Sequence, residues 1–305
     1  WNRRGPLALL LAPLGSLYGM SVMKKARSAS PFRAPVKVIC VGNLTAGGSG
    51  KTPVAIAIAE HLAAQRKKVF FLTRGYGGWE QGPIIVSSHS VDDVGDEALL
   101  LARTAPTVVA RDRAAGAKLA AANGADVIVM DDGHQNFSLA KDLSLVVVDG
   151  ASGFGNRLMI PAGPLREPVA QGLARADAVI IVGDGAPDLQ NFSGPVLRAK
   201  LEPEKMDLSG KPVFAFAGIG RPEKFVATLR ALGAEIKATQ FFPDHHPYTP
   251  AEIATLKSSA GGTMLITTEK DLVRLSPDMA KGITALKVRA AFGTPALLDR
   301  VLAAV

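Results

Sequence analysis

Short apolar runs alternate with helical segments along the first part of the chain. Runs such as Asp126–Met130 and Ala178–Val182 contain almost no polar residues, which is typical of strands buried on both faces. Strands of this kind, separated by helices, indicate a parallel sheet covered on both sides. The strands predicted here are Val36–Val41, Val69–Thr73, Ile84–Ser87, Thr107–Ala110, Asp126–Met130, Leu145–Val148 and Ala178–Val182. The helices predicted between them are Pro53–Lys68, Asp96–Arg103 and Arg111–Asn123.

A second, smaller series begins near Lys211, after a cluster of glycine, proline and aspartate near residue 190. We therefore predict an α/β fold of two domains, with residues 1–195 in the first and residues 196–305 in the second. Val196–Leu201 and Ala285–Ala290 have β character and could pair as a two-stranded connector. The last helix, Pro295–Val305, could then return to either domain. The remaining elements predicted are the strands Val213–Ala217, Ile236–Phe242 and Met264–Thr268 and the helices Pro222–Leu232 and Pro250–Ser258.

The first thirty residues form an uncharged segment with basic flanks. Gly5–Met23 carries no charge and lies between Arg3 and Arg4 on one side and Lys24, Lys25 and Arg27 on the other. The segment is marginal in length for a membrane span, and a signal peptide conflicts with a following nucleotide loop, which needs cytosolic nucleotide. We favour an interfacial helix on an anionic leaflet, with an ordinary buried helix as the alternative. Because the chain begins at Trp1 rather than methionine, we expect its native start to be missing or processed.

Composition and charge narrow the function classes. The formal net charge of +8 over 305 residues suits anionic partners, although an ordinary solvated surface explains the same excess. Aromatic residues make up only 6%, and no stripe of basic and aromatic residues is present, so we expect no nucleic-acid partner. The single cysteine, Cys40, lies in an apolar run and fits a core position in a protein of a reducing cytosol.

The sequence VGNLTAGGSGKT, from Val41 to Thr52, predicts a phosphate-binding loop. An apolar strand precedes it and a helix follows, so backbone N–H groups and the helix N-terminus would face the phosphates. Thr45 stands where the strict pattern has glycine, but that position shapes the turn and makes no catalytic contact. Lys51 would reach the β- and γ-phosphates. The residues predicted to bind the nucleotide are Thr45, Gly47, Gly48, Ser49, Gly50, Lys51 and Thr52.

Carboxylates lie at the ends of two predicted elements, at points where they could serve this site. Asp131 and Asp132 come directly after an apolar strand, and two adjacent carboxylates there are costly unless a cation compensates them. We predict that they and the Thr52 hydroxyl bind Mg²⁺, with a turn or cap aspartate as the alternative. Asp96 begins a predicted helix, and its role as a helix cap or as a site residue stays open on sequence physics alone.

Seven motifs occur together and in order along nearly the whole chain: VGNLTAGGSGKTP, RGYGG, VGDEALLLA, DDGHQN, PAGPLRE, DHHPYT and TTEKD. This combination resembles the tetraacyldisaccharide 4′-kinase family, whose loop also lacks the first glycine. The resemblance implies a P-loop kinase domain and a smaller Rossmann-like domain, joined by a two-stranded linker around a cleft. It implies transfer of the γ-phosphoryl group of ATP to the 4′-hydroxyl of an acylated glucosamine disaccharide 1-phosphate.

The resemblance also implies roles for individual residues. Asp96 matches the aspartate that pairs with a histidine of the second domain to activate the sugar hydroxyl. His245 matches that histidine, although the neighbouring His246 is an alternative. The other catalytic residues carried over are Lys51 and Arg166, which would contact phosphate oxygens. Substrate residues carried over are Tyr76, Asn43 and Arg74. His134 receives no chemical role, and Ala98, where members often have proline, concerns only a helix start.

Two other readings stay open. A P-loop enzyme with a soluble acceptor predicts activity without lipid and no need for the first thirty residues. A membrane-bound nucleotide switch would carry a signature lysine early in the loop, where this chain has Thr45-Ala46-Gly47. With the lipid substrate, we expect a monomer on the cytoplasmic face of the inner membrane, held there peripherally or by an N-terminal anchor.

Overall fold

The computed structural model of the protein describes residues 4–305. Arg3, which the sequence places among the basic residues before the first apolar segment, lies outside the described residues. The strands are β1 (Lys37–Gly42), β2 (Val69–Thr73), β3 (Ile84–Ile85), β4 (Thr107–Val109), β5 (Val127–Asp131), β6 (Leu143–Asp149), β7 (Ala178–Val182), β8 (Val196–Pro203), β9 (Pro212–Ala217), β10 (Glu235–Phe241), β11 (Met264–Thr268), β12 (Ile283–Leu286) and β13 (Val288–Phe292). The helices are α1 (Pro6–Ser28), α2 (Lys51–Ala64), α3 (Val91–Val94), α4 (Asp96–Ala102), α5 (Arg113–Ala122), α6 (Val169–Leu173), α7 (Pro222–Ala231), α8 (Pro250–Ala260), α9 (Glu269–Leu272), α10 (Pro277–Ala280) and α11 (Pro295–Leu302).

The larger sheet has the strand order β13-β8-β7-β6-β1-β5-β2-β4-β3. Its strands from β8 to β4 run parallel, and β3 and β13 are antiparallel to their neighbours. β1 lies between β5 and β6, with Val41 opposite Asp131 and Gly42 opposite Val146. Because the carboxyl ends of parallel strands meet at one edge, the loop after β1 and the carboxylates after β5 lie side by side.

Helix α2 is fixed against this sheet by a continuous apolar face. Val54, Ile58 and Leu62, spaced four residues apart, are buried in one core with Ile39 and Val129 of the central strands. Burying each such side chain stabilises the fold by roughly 1.5–3 kcal/mol. The N-terminus of α2 is therefore held rigidly at the edge where the phosphate-binding loop ends.

The smaller sheet has the order β10-β9-β11-β12, and all its strands are parallel. Separate apolar cores cover its two faces, one around Val226 and Leu229 of α7 and one around Ile253 and Leu256 of α8. A parallel sheet with helices on both sides is the arrangement predicted for a Rossmann-like unit. The predicted α/β fold with two parallel sheets is confirmed.

Strands β8 and β13 form the predicted two-stranded link between the sheets, with Leu201 opposite Ala290. The prediction of one strand over Ala285–Ala290 is wrong, because the chain divides there into two strands around Lys287. Leu286 is buried in the core between the smaller sheet and α7, whereas Ala290 is buried in the core between the larger sheet and α2. The sequence of an apolar run does not show that its two ends belong to different cores. Leu298, Val301 and Leu302 of α11 pack into the larger core, whereas the domain boundary at residue 195 remains our proposal.

Helix α1 lies on the larger domain through small residues. Gly15 and Gly19 are buried against Met159, and a Cβ atom on Gly15 would lie 2.7 Å from the Met159 carbonyl oxygen. Within Pro6–Ser28 only Gly15 and Gly19 are buried, so the alternative of an ordinary buried helix is wrong. The helix is long and apolar enough to cross a membrane, which makes it a candidate membrane anchor. The large apolar side chains that it exposes are Leu7, Leu9, Leu10, Leu14, Leu17, Tyr18 and Met20.

Candidate active site

The loop between β1 and α2 presents free backbone N–H groups. Gly47 and Gly50 have φ values of 108° and 85°, in the left-handed region that glycine adopts without strain. Gly50, at the N-cap position of α2, has no side chain that could cap the helix, and the backbone N–H groups of Gly47–Gly50 have no hydrogen-bond partner among residues 4–305. A pocket of about 390 Å³ opens beside the loop and is lined in part by Gly47, Gly48 and Ser49. The loop can therefore hold an anion against the positive end of α2.

The Asn43 side chain cross-links the loop through its hydroxyl residues. Its side-chain nitrogen donates to the Ser49 hydroxyl at 3.0 Å and lies 3.5 Å from the Thr45 hydroxyl. The backbone carbonyl oxygen of Asn43 accepts a hydrogen bond from the Gln135 side chain, which also donates to the buried Glu167. Asn43 is completely buried, so the structure places this predicted substrate residue inside the loop rather than at its surface.

The carboxylates after β5 meet the loop through two different contacts. The Thr52 hydroxyl donates to Asp131 Oδ2 at 2.9 Å, while Asp131 Oδ1 is buried without a hydrogen-bond partner among residues 4–305. Burial, with the negative charges of Glu97 and Asp132, raises the pKa of Asp131 to about 7. These are oxygen donors at a site that leaves one carboxylate oxygen unsatisfied, which is the chemistry that Mg²⁺ prefers.

Asp132 lies between the two basic residues predicted to contact phosphate. Its Oδ1 atom is 2.8 Å from Arg166 Nη1 and 3.8 Å from Lys51 Nζ. Burial alone would raise the pKa of Asp132, but the positive charges of Lys51 and Arg166 outweigh it and hold that pKa below its ordinary value. The contact thus keeps Lys51 and Arg166 together at the edge of the loop.

Asp96, at the start of α4, meets side chains from the smaller domain. Its Oδ2 atom lies 3.0 Å from His245 Nδ1, 2.8 Å from Arg274 Nε and 4.0 Å from Lys270 Nζ. Among residues 4–305 all these contacts reach Oδ2, which leaves Oδ1 free to accept a proton. Burial opposes ionisation of Asp96, yet the hydrogen bond from His245 and the charges of Lys270 and Arg274 hold its pKa well below its ordinary value.

His245 and His246 lie in different surroundings. His245 has a φ of 59°, and its Nε2 atom lies 3.2 Å from Lys270 Nζ while Nδ1 faces Asp96. His246 turns the other way, stacks on Phe242 and lies 3.1 Å from Glu252 Oε1. The structure therefore brings His245, and not His246, to Asp96.

Glu97 connects this pair to the carboxylates of the loop. Its side chain lies 3.7 Å from Lys270 Nζ, and its negative charge contributes to the raised pKa of Asp131, after the larger effect of burial. Tyr76, which is 66% exposed, forms an edge contact with the His245 ring at 5.9 Å between centroids. Arg74, also predicted for the substrate, is exposed two residues before Tyr76. Glu97 thus links the Asp96–His245 pair to the carboxylates beside the loop.

Comparison with known proteins decides the family. The family model described as tetraacyldisaccharide-1-P 4′-kinase matches residues 7–305. The chain belongs to this family. It is 52% identical over 308 residues to the tetraacyldisaccharide 4′-kinase of Paramagnetospirillum magneticum, covering 98% of this chain and 95% of that one. It is 49% identical over 319 residues to the enzyme of that name from Rhodospirillum rubrum, covering 99% and 96% of the two chains.

A solved structure agrees with this assignment. The crystal structure of LpxK from Aquifex aeolicus in complex with ATP matches with a TM-score of 0.80 and 28% sequence identity. The match covers 97% of this chain and 98% of that one. The predicted resemblance to the tetraacyldisaccharide 4′-kinase family and the predicted P-loop kinase fold are confirmed.

Sequence reasoning missed three residues of this kinase site. Lys270 and Asp271 lie in the TTEKD motif, which was recognised without a role, and Arg274 follows one helical turn after Lys270. Asp271 Oδ1 accepts from the Gly218 N–H, the Tyr248 hydroxyl and Arg274 Nη1, all within 3.0 Å. A basic residue one turn after a motif lysine was the available signal, because both project from the same side of a helical turn.

Proposed function

We propose that this chain transfers the γ-phosphoryl group of ATP to the 4′-hydroxyl of tetraacyldisaccharide 1-phosphate, as its family membership indicates. The observation that carries the proposal is the contact between Asp96 and His245, which Glu97 connects to the carboxylates beside the phosphate-binding loop. A hydroxyl is a poor nucleophile, and a kinase needs a carboxylate that orients it and takes its proton.

The roles follow from the positions of the side chains. The backbone of Gly47–Gly50 and the N-terminus of α2 would hold the phosphates, and Lys51 and Arg166 would neutralise the charge that develops on the transferred group. Asp96 Oδ1 would accept the proton of the 4′-hydroxyl, while His245, Lys270 and Arg274 fix Oδ2. A low pKa suits an acceptor that takes its proton late, because little bond formation precedes the loose transition state.

Mg²⁺ fits the residues beside Thr52. Thr52 Oγ1 and Asp131 would hold the ion, since Asp131 Oδ1 is a buried oxygen without a hydrogen-bond partner in the described part of the chain, and Asp132 would position it with the phosphates. Among residues 4–305 no group of three or more His, Cys, Asp or Glu side chains could hold a metal. Mg²⁺ usually binds proteins through one or two carboxylates and takes further ligands from water and substrate phosphates. Bound there, Mg²⁺ supplies charge neutralisation and orientation of the phosphates.

Helix α1 would hold the enzyme on the membrane that contains its lipid. Its exposed leucine side chains suit the acyl region, and Lys24, Lys25 and Arg27 at its end suit anionic headgroups. Because ATP is cytosolic, we propose that the chain acts as a monomer at the cytoplasmic face of the inner membrane. Peripheral attachment predicts extraction by carbonate or high salt, whereas a spanning helix predicts resistance to both.

The test is transfer of labelled γ-phosphate from ATP to tetraacyldisaccharide 1-phosphate in detergent micelles with Mg²⁺. We expect labelled lipid from the wild-type chain and none from Lys51→Ala. Lysine-dependent hydrolysis of ATP without labelled lipid would mean that the loop is active and that the acceptor is wrong.

A further inference from the structure

Arg221 brings a guanidinium group from the smaller domain to the pocket beside the phosphate-binding loop. It directly precedes α7, and it lines the 390 Å³ pocket together with Gly47, Gly48 and Ser49. The loop glycines and the arginine therefore belong to different domains but share one cavity. An arginine placed beside free backbone N–H groups adds to the attraction of that cavity for phosphate.

Asp149 holds this arginine at the cavity wall. It is the last residue of β6, which pairs with β1 directly before the loop. Asp149 Oδ2 lies 2.9 Å from Arg221 Nη1 and 3.7 Å from Lys224 Nζ. Asp149 Oδ1 accepts from both the backbone N–H and the hydroxyl of Ser152, each at 2.8 Å. The carboxylate is thus fixed in the larger domain, and the bridge to Arg221 crosses between the domains.

The ion pair between Arg221 and Asp149 can be broken, and Arg221 can take another partner, without disturbing either apolar core. The Arg221 side chain is 40% exposed, and its second contact, to the Ser152 hydroxyl, is long at 3.4 Å. Asp149 keeps its Ser152 hydrogen bonds if Arg221 leaves. A triphosphate in the cavity carries more negative charge than one carboxylate and offers a guanidinium several acceptor oxygens.

We propose that Arg221 is a nucleotide-binding residue that leaves Asp149 for the phosphate chain of bound ATP. The inference rests on the proposed use of ATP and goes beyond it, because it gives the smaller domain a contact with the nucleotide. Asp149 then competes with the nucleotide for the same guanidinium. Binding of ATP would exchange one cross-domain contact for another and couple nucleotide binding to the relative position of the domains.

This competition predicts opposite effects from the two partners of one ion pair. Arg221→Ala removes the phosphate contact and should weaken ATP binding about tenfold or more, the range of a hydrogen bond to a charged group. Asp149→Asn releases Arg221 and should tighten ATP binding. Arg221→Ala should weaken ATP binding more in an Asp149→Asn background than in the wild-type chain, because no carboxylate then competes for the guanidinium; the direct effect of the Asp149 charge is common to both members of each comparison.

Calorimetric titration of the full chain with ATP, ADP and adenosine, all with Mg²⁺, tests the proposal without the lipid acceptor. The effect of Arg221→Ala should be largest for ATP and absent for adenosine, and Arg221→Lys should lie between. Lys224→Ala is the matched control: it removes a positive charge 3.7 Å from Asp149 that does not line the pocket, and it should leave ATP affinity unchanged.

Two results would overturn the inference while leaving the proposed function intact. ATP affinity that does not change in a folded Arg221→Ala variant would mean that Arg221 makes no phosphate contact. Equal weakening by Arg221→Ala and Asp149→Asn would mean that the bridge only holds the domains together. A wild-type chain that binds no ATP would instead contradict the proposed function itself.

Discussion

Arg274 and Asp96 form an ion pair between the two domains in which each side chain is only 3% exposed. Arg274 Nη1 is meanwhile held by the Gly218 carbonyl oxygen at 2.8 Å and by Asp271 at 3.0 Å. The same Gly218 oxygen accepts from the backbone N–H of His245 at 3.2 Å. One carbonyl group of the smaller domain thus contacts two of the residues that orient Asp96.

Replacing Arg274 by Met should lower kcat at least about 100-fold, because Asp96 loses the most deeply buried of the partners that fix Oδ2. It should also destabilise the chain by roughly 3–5 kcal/mol, the usual cost of leaving one partner of a buried ion pair uncompensated. Steady-state kinetics and urea unfolding measure the two effects. Lys281→Met, which removes an exposed pair with Asp278, is the control and should change neither. Normal kcat in a folded Arg274→Met variant would contradict the assigned role.

The two adjacent histidines should differ sharply. His245→Gln removes the contact with Asp96 and should reduce kcat by about 100-fold or more, within the range of general acid–base groups. His246→Gln should retain kcat within about threefold, because His246 contacts Glu252 and Phe242 away from the cleft. Comparable losses in both variants would show that the loop conformation, rather than the His245 side chain, matters.

The Thr52 hydroxyl should determine the requirement for Mg²⁺. Thr52→Ala removes the oxygen that contacts Asp131, so the Mg²⁺ concentration for half-maximal activity should rise about tenfold or more. Thr52→Ser keeps the hydroxyl and is the matched control, with an expected change of less than about threefold. A Mg²⁺ titration at saturating ATP measures both, and an unchanged midpoint in Thr52→Ala would remove Thr52 from the predicted metal site.

His134 should make stability depend on pH below its ordinary pKa. Burial, with the positive charges of Lys141 and Arg175, lowers the pKa of His134 from 6.5 to about 3. Between these values the unfolded chain binds a proton that the folded chain does not, so the free energy of unfolding falls as the pH decreases. His134 contributes up to about 1.4 kcal/mol per pH unit to this decrease in the free energy of unfolding.

His134→Gln tests this contribution, because an amide can keep contacts with Ser144 and Gly172 but does not titrate. Urea unfolding at several pH values between 6.5 and 4 should show a shallower decrease in the variant than in the wild-type chain. Parallel curves would mean that His134 is charged in the folded state or hydrated there.

The sequence predicted the elements and the loop well because both depend on local patterns. Uninterrupted apolar strands gave Val69–Thr73, Ala178–Val182 and Met264–Thr268 with their observed bounds. Helix α2 begins at Lys51, two residues before the prediction at Pro53, because the loop itself forms the first turn. Local patterns could also suggest Asp131 and Asp132, which lie at the carboxyl end of a strand.

Contacts between the domains could not be predicted from such patterns. The choice of His245 over His246 depends on a left-handed backbone at His245, which adjacent identical residues do not reveal. Arg274 and Asp96 are far apart in the chain, and only packing of the two sheets makes them neighbours. The burial of Asn43 likewise depends on Gln135, which is far from it in the chain and donates to its backbone carbonyl oxygen.

The position of the new phosphate tests the central claim most directly. The chain would be incubated with ATP, Mg²⁺ and tetraacyldisaccharide 1-phosphate, and the product analysed by phosphorus and proton NMR, beside an Asp96→Ala reaction. We predict a single new phosphate monoester on the 4′ oxygen, strongly reduced with Asp96→Ala. A diphosphate at position 1, or a 4′ product formed equally well by Asp96→Ala, would contradict the account.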